Sequence, residues 1–134
     1  MFRDPGSREI ATHSRRERPP MKIHLPEFCL VALAGPAGAG KSTFARRHFR
    51  PTEIVSSDRC RALVSDDEND MTATDDAFTL VHALLRMRLR RGRLTVLDAT
   101  NLLDFARRSV LELSAEFSCP AVAIAFHIEE ELCL

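Results

Sequence analysis

Short apolar runs alternate with amphipathic stretches along most of the chain, and that alternation predicts its elements. FCLVALAG, from Phe28 to Gly35, is apolar at consecutive positions and ends in glycine. That is the pattern of a strand buried on both faces of a parallel sheet. KSTFARRHFR, from Lys41, predicts a helix that Pro51 stops. Glu53 to Ser56 predicts a second strand running into Ser57 and Asp58, and DRCRALV one or two helical turns. Ser65 to Asp76 is acidic and turn-rich, and reads as a solvated connector rather than a metal site. Thr74, Asp75 and Asp76 can cap the next helix. In it, Phe78, Val81, Leu85 and Leu89 recur at helical spacing, with Leu80 and Leu84 widening the stripe. His82 lies beside that stripe and reads as packing. Arg86, Arg88, Arg90 and Arg91 crowd the last turns, where cations suit the helix dipole, and Gly92 ends the helix. Leu94 to Asn101 predicts a third strand ending in Asp98. Leu103 to Phe117 predicts a helix with Ala106, Val110, Leu113 and Phe117 on one face, and Ala121 to Ile128 a fourth strand. Strands and helices that alternate in this way predict an α/β fold, a parallel sheet with helices on both faces.

Composition narrows the class. The 134 residues make one domain, and 45% of them are apolar, enough for a core. Lys and Arg total 19 and Asp and Glu total 19, so no whole-domain basic field draws nucleic acid in. Any polynucleotide is held by a local patch. Four cysteines form no C-x-x-C pair, which argues against a zinc framework and for a reducing, cytoplasmic setting. The apolar run from Phe28 to Ala34 is too short to span a bilayer, so no membrane partner is expected. Residues 1–20 lack the apolar core of a secretory signal, and Asp4, Glu9 and Glu17 argue against a transit peptide. They read as a disordered tail, with the folded part at 21–134.

The chemistry begins with GPAGAGKST, residues Gly35, Pro36, Ala37, Gly38, Ala39, Gly40, Lys41, Ser42 and Thr43. Gly35, Gly40, Lys41 and Ser42 match G-x-x-x-x-G-K-[ST], the Walker A phosphate-binding loop (P-loop), between a predicted strand and a predicted helix. Glycines let the backbone wrap an anion. The amides of Gly38 to Thr43 then point at phosphate oxygens at the helix N-terminus. Lys41 reaches the β and γ phosphates, and the Ser42 hydroxyl suits Mg²⁺, a hard cation that prefers oxygen. ATP and Mg²⁺ are the expected cofactors.

Ligands of such sheets sit beyond the carboxyl ends of the strands. The second and third strands end in Asp58 and Asp98, which therefore face the same crevice as the phosphates. Asp58 suits a general base for a hydroxyl acceptor, or an N-cap of the following turn. Arg61 suits an anionic group on the acceptor, or is a solvated charge. Asp98 after LTVL suits a second Mg²⁺ ligand. Thr100 and Asn101 either touch the acceptor or make a turn.

With these strings placed, the chain resembles the 5′-hydroxyl polynucleotide kinase domain of bacterial polynucleotide kinase-phosphatase, an RNA-repair enzyme. The resemblance is carried by GPAGAGKSTFARRHF, PTEIVSSDRCRALVSDDENDMTAT, LTVLDATN and FHIEEELC, from about Met21 to the last residue. It implies a P-loop NTPase three-layer sandwich of the adenylate-kinase-like class, with the third strand beside the first. It implies ATP and Mg²⁺ at Lys41 and Ser42, Asp58 as base on the 5′-hydroxyl, and Arg61 holding the acceptor end. The implied partner is a polynucleotide 5′-hydroxyl end, RNA by the family's role and DNA left open. Family members continue into an arginine-bearing lid, an adenine pocket and a fifth strand, with phosphatase and ligase-like modules beyond. None of these lies within 134 residues. The chain is therefore expected to be the N-terminal part of a kinase domain, C-terminally truncated, inactive or weakly active alone. Its fourth strand is expected to be an exposed edge open to self-association. Other readings are a P-loop kinase of a small molecule, a nucleotide-binding remnant without turnover, and a GTPase-like switch. The last lacks N-K-x-D.

Overall fold

The computed structural model describes residues 7–11, 22–36, 38–99 and 104–126. Its order is β1 (Ser7–Ala11), β2 (Lys22–Pro26), β3 (Leu30–Ala34), α1 (Lys41–His48), β4 (Ile54–Ser56), α2 (Ser57–Ser65), α3 (Thr74–Arg90), β5 (Thr95–Asp98), α4 (Asp104–Glu116) and β6 (Ala121–Ala125). Single 3-10 turns precede β4 and α3.

The four later strands form one parallel sheet in the order β4-β5-β3-β6. The third strand of the alternation does lie beside the first. Leu30, Val31, Leu33, Val96 and Leu97 are buried on both sides, which is why those strands read as continuous apolar runs. One face carries Val81, Leu85 and Leu89 of α3, Val110 and Leu113 of α4 and Cys60 of α2. The other carries Ala45 and Phe49 at the end of α1. These are the three layers of a P-loop sandwich.

The N-terminus differs from the expected disordered tail at Ser7–Ala11. That segment pairs antiparallel with β2, Ile10 opposite Ile23. Ile10 and Leu25 bury themselves in the α1 side of the core. Arg8 donates two hydrogen bonds to Glu53, at 3.0 and 2.8 Å, and lies 5.6 Å over the Phe49 ring. SREIA carries one large apolar side chain, and its partners run from Lys22, eleven residues from Ala11, to Glu53, 45 residues from Arg8. A local pattern cannot show such a docking.

α3 also differs in its start. It grows directly out of the 3-10 turn Met71–Ala73, with Ala73 at the cap position and no side-chain cap. Thr74 spends its hydroxyl on the Met71 carbonyl, at 2.9 Å. α2 runs nine residues, longer than one or two turns.

Glu53 gives a pH prediction. Burial alone would raise its pKa, but the Arg8 bonds and the Arg50 amide outweigh burial and hold the carboxyl below its ordinary 4.5. A depressed carboxyl stabilises the fold above its unfolded pKa, and that contribution fades as pH falls through the folded value. Thermal melts from neutral to acid pH are expected to show a steeper acid loss of Tm for the unmodified chain than for Glu53→Gln. Parallel curves would mean that the Arg8–Glu53 pair adds nothing.

Candidate phosphate cradle and acceptor wall

The sheet register sets the site. Leu33 of β3 and Ser56 of β4 both pair with Asp98 of β5, so three strands end in one row. The cradle leaves that row at Gly35 and the acceptor wall leaves it at Ser57.

Gly38 and Gly40 have φ of +82° and +95°, which lets the loop curl. Gly40 stands at the N-cap of α1 without a side chain to cap it, so no side chain claims the first amides of α1. Gly35, at φ +148°, has a different reason. A Cβ there would come within 2.7 Å of the Phe126 carbonyl oxygen, just past β6. The β6 backbone and the cradle are thus in direct contact. Phe126 in turn donates its N–H to the Ala34 carbonyl at 2.7 Å.

Lys41 is buried, and its ammonium donates to the Gly35 carbonyl across the loop. The Ser42 hydroxyl donates to Oδ2 of the buried Asp98 at 2.8 Å. The two residues expected to share Mg²⁺ therefore meet although 56 positions separate them. Two hard oxygens fit that ion, which keeps several waters and takes its remaining protein contacts from one or two carboxylates beside substrate phosphates. Among the described residues, no group of three or more His, Cys, Asp and Glu forms a separate metal site. The acidic connector is a turn, as expected: Asp67 accepts from the Asn69 amide and Asp70 from that of Thr72.

On the other wall, one alternative reading of Asp58 gives way. Ser56 caps α2, its hydroxyl accepting from the Arg59 amide at 3.2 Å. Asp58 lies in the first turn with its side chain 53% exposed, so it is not the cap. Arg61 is no solvated charge either. It is buried, and its Nη1 donates to Asp58 Oδ1 at 2.9 Å and to the Glu68 carbonyl at 3.1 Å. Its Nε is buried without a partner. One edge of the guanidinium thus fixes the carboxylate and the connector, while Nε keeps unused donor capacity. Sequence reasoning missed Ser56 and the Glu68 carbonyl. SSD offers three capping side chains in a row, and a carbonyl has no residue signature. Ala37, Thr100 and Asn101 lie outside the described residues.

The AAA domain family profile matches residues 30–134, from the start of β3 to the last residue. The chain belongs to the AAA domain family. Two solved structures share the fold of this AAA domain. One, of a Pnkp1/Rnl/Hen1 complex, is 24% identical with a TM-score of 0.66, and the match covers 79% of this chain and 38% of that one. The other, the crystal structure of APE1195, is 20% identical with a TM-score of 0.60, covering 79% and 66%. The chain thus spans well under half of the first relative. A comparison with curated proteins finds no match. The AAA domain carries the P-loop sequence at Gly35–Thr43, and none of its described helices is long and apolar enough to cross a membrane.

Proposed function

We propose that this domain transfers the γ-phosphoryl group of ATP to the 5′-hydroxyl of a polynucleotide, as in RNA end repair. The observation that carries the reading is the row formed by Leu33, Asp98 and Ser56. It brings out of one sheet edge a cradle for the donor and a carboxylate with no structural cap to make. The name of one fold relative, a Pnkp1/Rnl/Hen1 complex, agrees with it.

In this mechanism, Gly35 to Thr43 wrap the phosphates. Lys41 exchanges the Gly35 carbonyl for the β and γ oxygens. Ser42 and Asp98 would hold Mg²⁺, which when bound neutralises charge on those oxygens. Asp58 accepts the proton of the 5′-hydroxyl as its oxygen bonds to the γ-phosphorus and the bond to ADP breaks. Arg61 orients Asp58 through Nη1, and its guanidinium charge favours an anionic group of the acceptor. Thr100 and Asn101, after β5, complete the acceptor side. Among the described residues Cys29, Cys60 and Cys119 are buried and free, which suits a reducing compartment such as the cytoplasm. Burial, and then Cys119 nearby, push the Cys29 thiol up to about 11, which keeps it unreactive.

A second reading, a small-molecule acceptor, is favoured by one observation. The loop tied to Arg61 carries exposed Asp66, Asp67 and Glu68, which repel a polyanion. Labelled ATP with a panel of acceptors, given to a chain extended to include the implied lid, separates the two: a 5′-hydroxyl RNA, a DNA of the same sequence, a nucleotide sugar and uncharged alcohols. The expected result is label on the oligonucleotides alone. Label on a small molecule, with none on the oligonucleotides, overturns the polynucleotide reading.

A further inference from the structure

Far from the cradle, α3 and α4 leave a groove between them. Ala83, Arg86, Met87 and Arg90 line one bank, and Glu116 and Phe117 the other, around about 370 Å³. Arg86 lies twelve residues along α3 from Thr74, about 18 Å of helix. α3 starts beside the acceptor connector and runs away from it, so the groove lies outside the site already described.

The groove is held open by one contact set. Arg86 donates from both Nη atoms to the two Glu116 oxygens, at 2.8 and 2.6 Å. The same guanidinium lies 5.7 Å over the Phe117 ring. Arg86 and Glu116 therefore neutralise each other and fix the two banks. Arg90, one turn on, is exposed and has no acidic partner among the described residues, and exposed Arg91 and Arg93 follow it. The C-terminal end of a helix favours cations. Here Arg88 already serves the local structure, bonding the Leu94 carbonyl at 2.8 Å. Met87 is 47% exposed beside these charges, an adaptable apolar surface.

We infer that this groove is a docking surface for an acidic protein segment that carries an apolar anchor. The segment's carboxylates pair with Arg90 and Arg91, and its anchor covers Met87 and Ala83. Charge complementarity at Arg90 and Arg91 selects an anionic occupant, and the apolar Met87 and Ala83 select a protein segment over a nucleic acid. The Phe117 face that a base would stack on is covered by Arg86. The opposite bank is acidic, with Glu112 one turn before Glu116 and both exposed. The segment's carboxylates therefore face the α3 bank.

The test uses a fluorescein-labelled twelve-residue peptide of Asp and Glu with a central Phe-Leu pair, titrated with the chain and followed by anisotropy. Saturable binding is expected. It is expected to weaken at least about tenfold in Arg90→Glu/Arg91→Glu and in Met87→Asp. It is also expected to weaken when Gly-Ser replaces Phe-Leu in the peptide. ATP affinity, unchanged in each variant, shows that the fold is intact. The inference is overturned if the peptide does not bind, or if the charge-reversed variant binds it equally. It is also overturned if a twelve-nucleotide RNA binds more tightly than the peptide with the same dependence on Arg90.

Discussion

In a chain extended to include the lid that the family resemblance implies, Asp58→Ala is expected to lower the rate of phosphoryl transfer to a 5′-hydroxyl oligonucleotide by about 10²–10⁴-fold, the usual span of general-base effects. At 1.36 kcal/mol for each factor of ten, that is roughly 3–5 kcal/mol of barrier. ATP affinity is expected to stay unchanged, because Asp58 stands on the acceptor wall, away from the cradle. The alanine variant has a side effect. It leaves the buried Arg61 guanidinium without its carboxylate, and Nη1 keeps only the Glu68 carbonyl. Asp58→Asn separates the two roles. Its amide oxygen can still accept from Nη1, so orientation of Arg61 and the connector persists while the base is gone. The rate is expected to fall as far in Asn as in Ala, with Tm near that of the unmodified chain. An Asn variant that keeps its rate would demote Asp58 to a partner of Arg61.

The second large effect belongs to the donor side. Lys41→Ala is expected to weaken ATP·Mg²⁺ binding by about tenfold to a hundredfold, the loss of a charge-assisted hydrogen bond at ~1.5–3 kcal/mol. The fold is expected to tolerate the change. Lys41 opens α1, alanine is the best helix former, and the one bond lost is that to the Gly35 carbonyl. Calorimetric titration of both proteins with ATP·Mg²⁺ measures the difference. Equal affinities would show that the loop closes around nothing.

Much of the sheet could be read from the chain because strands buried on both faces announce themselves. LVALA and TVLD have no solvent face, so their composition alone marks them, and Gly35 and Asp98 mark where they end. The cradle could be read for a related reason: its chemistry lies in consecutive residues. The Ser42–Asp98 contact was legible only through the fold, since it needs β3 and β5 to be neighbours. Position alone left Asp58 and Arg61 undecided between function and local structure. Ser56, which takes the cap, and the burial of Arg61 remove the two local readings that the sequence offered. Both depend on how α2 leaves the sheet. The β1–β2 hairpin escaped because its stability is borrowed from Phe49 and Glu53, far along the chain. The start of α3 escaped because a 3-10 turn can feed a helix without any capping side chain.

The contact between Gly35 and Phe126 ties the order of unfolding to nucleotide affinity. Among the described residues β4 and β6 are the two edge strands of the sheet, and β6, paired there with β3, is the more exposed of the two and the readier to peel. When it peels, Gly35 loses the carbonyl that confines it and the cradle loosens while α3, α4 and β5 stay packed. Under gradual denaturation, a nucleotide held in the cradle is therefore expected to leave before the helical signal falls. The same coupling acts in reverse. Bound nucleotide is expected to slow amide exchange along Ala121–Ala125.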